Sequence, residues 1–191
     1  MSNSNFTKRA IVEAFMELLN ERPLSKITVK DIVERCGINR NTFYYHYQDI
    51  LALLEEICEI NFDKVVEQYP ELSSLEECVE AAMQFAVENK RAVMHIYNSN
   101  NRSIYVNSLW RLCDHFVTKY LETVFPDTPL SDYDKHLITR YFKCSCFGLV
   151  IDWIRSGMKD EYIDGLHRLL TQSKGVADLL INNYLESYEN Q

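Results

Sequence analysis

The stretch "TVKDIVERCGINRNTFYYHY", residues 28–47, holds two short helical patterns joined through a glycine. Val29, Ile32, Val33 and Cys36 recur at helical spacing, and Thr28 with Asp31 makes a capping-box-like start in which Asp replaces the usual Glu or Gln. Gly37 suits the left-handed conformation that stops a helix. Asn39 can cap the next one, whose inward residue is Phe43. That second helix also carries Arg40, Asn41, Thr42, Tyr44, Tyr45 and His46. A core does not need the arginine and asparagine, and a solvated helix does not need the tyrosines. Two short helices joined through "CGIN" predict a helix-turn-helix whose second helix lies in the DNA major groove. There Arg40 can pair bidentately with guanine O6/N7 and Asn41 can read adenine, while Thr42 and Tyr44 can donate to phosphate oxygens.

Working outward, the spacing stays helical and no strand-like alternation stands out. Ile11, Ala14, Phe15, Leu18 and Leu19 form the stripe of a first helix, closed before Pro23. A fourth helix is predicted from about Asp49 to Gln68, with Leu51, Leu54, Cys58, Phe62 and Val65 on one face. Ser74 and Glu77 match a capping box for a helix through about Glu88. Further helices are expected in "NKRAVMHIYN" (89–98), from Ser103 to Phe125, and from Ser131 to near Gly157. A final one covers about Asp160 to Ser187, disturbed at Gly175. The expectation is an all-α chain. Residues 1–50 form a three-helix helix-turn-helix DNA-binding domain, joined by a long helix to a larger helical ligand-binding and dimerisation domain, residues 51–191.

Charge agrees with that division. The 191 residues carry a net charge of −8, which argues against indiscriminate nucleic-acid binding. Residues 1–50 hold seven Lys/Arg and six Asp/Glu, so the acidity lies in the second part. No stretch approaches the roughly 18–20 apolar residues needed to span a bilayer. The start lacks a signal-peptide core, so a cytoplasmic protein without a membrane partner is expected. The six cysteines include no C-x-x-C and the five histidines are dispersed, so neither metal nor cofactor is expected. With no nucleophile–base pair or phosphate loop in view, neither is an enzyme.

"ITVKDIVERCGINRNTFYYHYQDILALL" (27–54) resembles the DNA-binding segment of the TetR/AcrR family of bacterial transcriptional regulators. Thr28, Ile32, Gly37, Thr42, Phe43, Tyr44, His46 and Tyr47 stand at the places of its signature, and the likeness covers roughly residues 7–58. The resemblance implies that Thr28, Thr42 and Tyr44 face the DNA backbone. It places Lys30, Arg40 and Asn41 where relatives read bases, and Tyr45 and His46 at the end of the recognition helix. One departure is Ile50, where many relatives carry a phosphate-binding Lys. Only backbone N–H groups and the helix dipole are then expected to serve a phosphate there. The remainder is more loosely similar to the all-helical C-terminal domains of the family. "VENKRAVMHIYNSNN" (87–101) and "FGLVIDWIRSG" (147–157) are similar to the branch containing the activator of dihydroxyacetone-kinase genes.

In "YFKCSCFGLVIDWI" (141–154) only Lys143, Ser145 and Asp152 interrupt an apolar run. Intramolecular core accounts for one side of such a helix, and a two-fold partner would cover the other through Tyr141, Cys144, Gly148 and Ile151. Met83, His95, Tyr97, Tyr105, Trp110, Cys113 and Phe116 are aromatic, soft or polar residues on the middle helices, where relatives enclose an effector. Ordinary core packing is the alternative for each. The expectation is therefore a homodimer on a palindromic operator in double-stranded DNA, a repressor released by an unidentified small molecule. An activator controlled by a protein partner, and an interaction scaffold with vestigial DNA contacts, stay open.

Overall fold

Pro23 has no amide hydrogen and cannot extend a helix, and the first helix ends two residues before it. The computed structural model describes residues 3–189. It opens with α1 (Asn3–Glu21), a 3-10 turn (Leu24–Lys26), α2 (Val29–Cys36), α3 (Arg40–His46) and α4 (Ile50–Gln68). It continues with α5 (Leu75–Val87), α6 (Lys90–Tyr97), α7 (Arg102–Val124), α8 (Asp132–Arg155), α9 (Asp160–Gln172) and α10 (Val176–Glu189). Among the described residues all regular structure is helical. Gly175, at φ +82°, splits the expected last helix in two, because that left-handed turn cannot be part of a right-handed helix. The α5 cap also differs in detail. Ser74 Oγ accepts from the Glu77 amide (3.2 Å), while the Glu77 carboxylate reaches back to Ser73.

The chain forms two compact units. One comprises the chain up to Lys64 together with Ala86–Ser108; the other comprises Val65–Phe85 and the chain from Leu109 onward. The division between them falls inside α4, α5 and α7, and α6, which packs on α1, groups with the helix-turn-helix.

In the first unit the whole α1 stripe is buried, from Ile11 to Leu19, with Ile32, Val33, Phe43 and Tyr47. Leu53 and Leu54 supply the inner face of α4, and Leu51 is turned outward. Ala92, Val93 and Ile96 of α6 complete this core. Leu19 would ordinarily give its carbonyl to the amide four residues on, but that residue is Pro23. His95 of α6 supplies the missing donor, its Nδ1 lying 2.6 Å from Leu19 O. A carbonyl only accepts, so Nδ1 carries the proton. In the second unit the buried residues include Cys78, Ala82 and Phe85 of α5, Cys113 and Phe116 of α7, and Phe142, Cys146, Val150 and Trp153 of α8.

Candidate nucleic-acid interface

Each helix of the helix-turn-helix is fixed at its start by a side chain. Thr28 Oγ1 accepts from the Asp31 amide (3.3 Å), and Asp31 Oδ2 accepts from the Thr28 amide (2.8 Å), so both arms of the capping box are made. Hydrogen bonds from Thr28 and the nearby Arg22 guanidinium hold the Asp31 carboxyl below its usual range. At the other end of α2, Gly37 adopts φ +71° and the Ile38 amide reaches Val33 O at 3.0 Å. Arg35 ties α2 to α1, pairing with both oxygens of Glu21 (2.8 and 2.9 Å) and with Glu17 (3.2 Å). Asn39 Oδ1 then accepts from the Thr42 amide at 2.9 Å and opens α3.

The recognition helix is anchored from beneath. Phe43 is fully buried, and Tyr47, which ends the helix in extended conformation, is 3% exposed. The Tyr47 hydroxyl donates to Glu56 Oε1 of α4 (3.1 Å), and Lys8 of α1 pairs with Glu56 Oε2 (2.8 Å) while lying 5.4 Å from the Tyr47 ring centre. α1 and α4 thus meet behind α3.

The opposite face is bare. Arg40 and Asn41 are exposed, and among the described residues neither side chain makes a hydrogen bond or ion pair. Tyr44 is 55% exposed, its ring edge-on to Phe43; Tyr45 is 81% exposed and lies edge-on to the half-buried His46. Lys30 is exposed on α2, 3.7 Å from Glu34. The hydroxyls of Thr28 and Thr42 are engaged by Asp31 (2.6 Å) and Asn39 (3.1 Å). Each must rotate to donate to a phosphate, exchanging one exposed hydrogen bond for another. The start of α4 differs from the sequence expectation. Asp49 Oδ1 accepts from the Ala52 amide at 2.8 Å, so an anionic cap already occupies the end where a phosphate was to meet free N–H groups.

The sequence profile described as bacterial regulatory proteins of the tetR family matches residues 11–57, the segment that builds this face. A second profile, the transcriptional regulator C-terminal region, matches residues 73–172. The chain belongs to the TetR family. As a member it is a DNA-binding transcriptional regulator. It is 24% identical over 178 residues to the HTH-type dhaKLM operon transcriptional activator DhaS of Lactococcus lactis subsp. lactis (strain IL1403), covering 91% of this chain and 94% of that protein. The solved structure of a dihydroxyacetone kinase operon activator DhaS shares the fold at a TM-score of 0.68 and 20% identity, over 93% of this chain and 97% of that one. A TetR transcriptional regulator from Streptococcus agalactiae 2603V gives 0.62 at 26% identity, over 88% and 94%.

The residues named as effector contacts are divided between the units of this TetR-family chain. His95, Tyr97 and Tyr105 belong to the first; Met83, Trp110, Cys113 and Phe116 belong to the second. His95 serves Leu19, and Met83, Cys113 and Phe116 are buried in packed core. Trp110 lies edge-on to Phe147 with the Lys143 ammonium 4.5 Å from its ring centre. A cavity of about 300 Å³ in the second unit is lined instead by residues such as Leu121, Phe125, Leu130, Lys135, Ile138 and Ile181. On α8, Tyr141, Cys144 and Gly148 are exposed and Ile151 is half-buried, one side of a helix whose other side is core. The sequence reading missed one cluster: Glu76 and Glu80 of α5 converge with His167 of α9. Nothing in their spacing, 91 and 87 residues from the histidine, announces it.

Proposed function

We propose that this TetR-family regulator works as a cytoplasmic homodimer on a palindromic operator. Arg40 and Asn41 read each half-site, and Lys30 adds a base contact. Thr28, Thr42 and Tyr44 hold the backbone, and Tyr45 and His46 close the contact at the helix end. The observation that carries this reading is the pairing of a pinned inner face with a bare outer one on α3. Phe43 and Tyr47 fix the helix, while Arg40 and Asn41 are left without an internal partner. One helix-turn-helix covers a half-site, and two-fold dimers match palindromes. The exposed side of α8 at Tyr141, Cys144 and Gly148 supports dimerisation there. Exposed Leu169 and Val176 line the same groove of about 520 Å³ and extend its apolar character.

Control is assigned to the second unit. An effector that favours a spacing of recognition helices misfitting the two half-sites releases the protein, and a coupling of about 1–3 kcal/mol weakens DNA binding 5–150-fold. That is a repressor freed by its ligand. A second reading has its own support: the relative covering 91% of this chain is named a transcriptional activator, and Met83, Cys113 and Phe116 are packed core. Control then comes from a protein partner. Sequencing duplexes that the purified full-length protein selects from a random pool tests the shared part of both readings. An inverted repeat bound in a salt-sensitive way is expected, and no enrichment over the starting pool contradicts it. Transcription from the selected operator with and without the regulator then gives the sign.

A further inference from the structure

Glu76 and Glu80 stand one turn apart on α5, and His167 of α9 faces both. Its Nδ1 lies 3.4 Å from Glu76 Oε1 and 3.3 Å from Glu80 Oε1. Like charges at this helical spacing repel. Among the described residues neither carboxylate has a Lys or Arg partner; His167 is the one basic group paired with them. Glu77, between them, is held by Ser73 and is not part of the cluster.

A hydrogen bond between His167 Nδ1 and Glu76 Oε1 at 3.4 Å accounts for only part of this geometry. One ring nitrogen carries one proton, and a charge-assisted N–H···O bond is about 2.7–2.9 Å long, shorter than either contact. The separations match a different object. Metal–ligand bonds of about 2.0–2.2 Å in a tetrahedral site put neighbouring donor atoms about 3.3–3.6 Å apart. The three donor atoms all lie within 4.8 Å of one another, close enough for small side-chain rotations to bring them onto one ion.

We propose that Glu76, Glu80 and His167 form a divalent transition-metal site that ties α5 to α9. One imidazole and two carboxylates suit zinc and its neighbours nickel and cobalt. Magnesium prefers oxygen alone and copper(I) prefers sulfur. Glu76 and Glu80 also line a cavity of about 560 Å³ with Tyr120 and Asp178, which leaves room for a fourth ligand, a water or a small-molecule carboxylate. The acidic second part of the chain favours a cation at this place.

The test uses full-length protein stripped with EDTA, dialysed against zinc and measured for retained metal and thermal midpoint. Wild type is expected to retain one more zinc per chain than His167→Ala or Glu80→Gln and to gain a midpoint shift that both variants lose. Circular dichroism establishes that the variants are folded. Cobalt substitution separates this site from the exposed Cys144, because nitrogen and oxygen ligation gives d–d absorption without a thiolate charge-transfer band. Three results overturn the proposal: no retained zinc in wild type, equal retention in the variants, or a thiolate band. A loss of stability in the variants with no response of wild type to zinc makes the trio an ion pair, and overturns it too.

Discussion

The hydroxyl of Tyr47 donates to Oε1 of Glu56 across 3.1 Å, joining the residue that ends α3 to the second turn of α4. Burial and the neighbouring carboxylate raise the tyrosine pKa above its usual range, so it remains a donor at neutral pH. Tyr47→Phe is expected to lose about 0.5–1.5 kcal/mol of stability, the worth of one hydrogen bond. Tyr47→Ala also opens a cavity under the recognition helix and is expected to cost about 3–5 kcal/mol. Urea unfolding measures both. DNA affinity should fall in the same order with the preferred bases unchanged, because Tyr47 is buried.

His95 takes the place of an amide that Pro23 lacks. His95→Leu leaves the carbonyl of the buried Leu19 without its donor and is expected to destabilise the protein by about 1–3 kcal/mol. His95→Gln retains an N–H donor and should lose less. Equal loss in the two variants would assign the effect to packing, not to the hydrogen bond.

The start of α4 presents a carboxylate and an isoleucine where the family resemblance leads one to expect a cation. Asp49→Ser keeps an oxygen for the Ala52 amide while removing the charge, and should tighten binding to specific and random DNA alike. Ile50→Lys should steepen the salt dependence by nearly one counterion per added contact, about two for a dimer. A salt titration of both variants against wild type checks this. Unchanged slope and affinity would mean that this end of α4 does not approach phosphate.

A Cβ at residue 148 would have no neighbour within 4 Å in its own chain, so the helix surface there is open. Gly148→Leu starts from an open Cβ position and removes a helix-interior glycine worth up to about 1 kcal/mol, and circular dichroism establishes that the variant is folded. In a folded variant, loss of the dimer then points to a clash with the partner. Sedimentation is expected to give a folded monomer; an unchanged dimer moves the interface to another face.

Much of this was legible in local pattern. The five α1 stripe positions, the Thr28/Asp31 box and the Gly37 stop were all readable, because each is a relation between residues a few positions apart. The disturbance at Gly175 was legible for the same reason, though not that it divides the helix in two. Asp49 could have been recognised as a cap three residues before Ala52, but the family's lysine at the next position drew the reading elsewhere. What escaped were relations at long range: Arg35 with Glu17 and Glu21, Tyr47 with Glu56 and Lys8, His95 with Leu19, and His167 with Glu76 and Glu80. No periodicity encodes them. The effector residues were ambiguous in a different way, since aromatic and soft side chains line pockets and fill cores alike. Cys113 and Phe116 are fully buried.

The account rests on α3 reading bases through Arg40, and selection from random duplexes by wild-type and Arg40→Ala protein measures that most directly. The account predicts that wild type selects an inverted repeat with half-site centres about 10–10.5 base pairs apart, or a multiple of that. Arg40→Ala should bind about 1–3 kcal/mol more weakly and lose its preference at one base pair in each half-site, symmetrically. Thr42→Ala, run beside it, should keep the motif and weaken all sequences alike. An Arg40→Ala protein that selects the same repeat with wild-type affinity would contradict the placement of α3 in the groove.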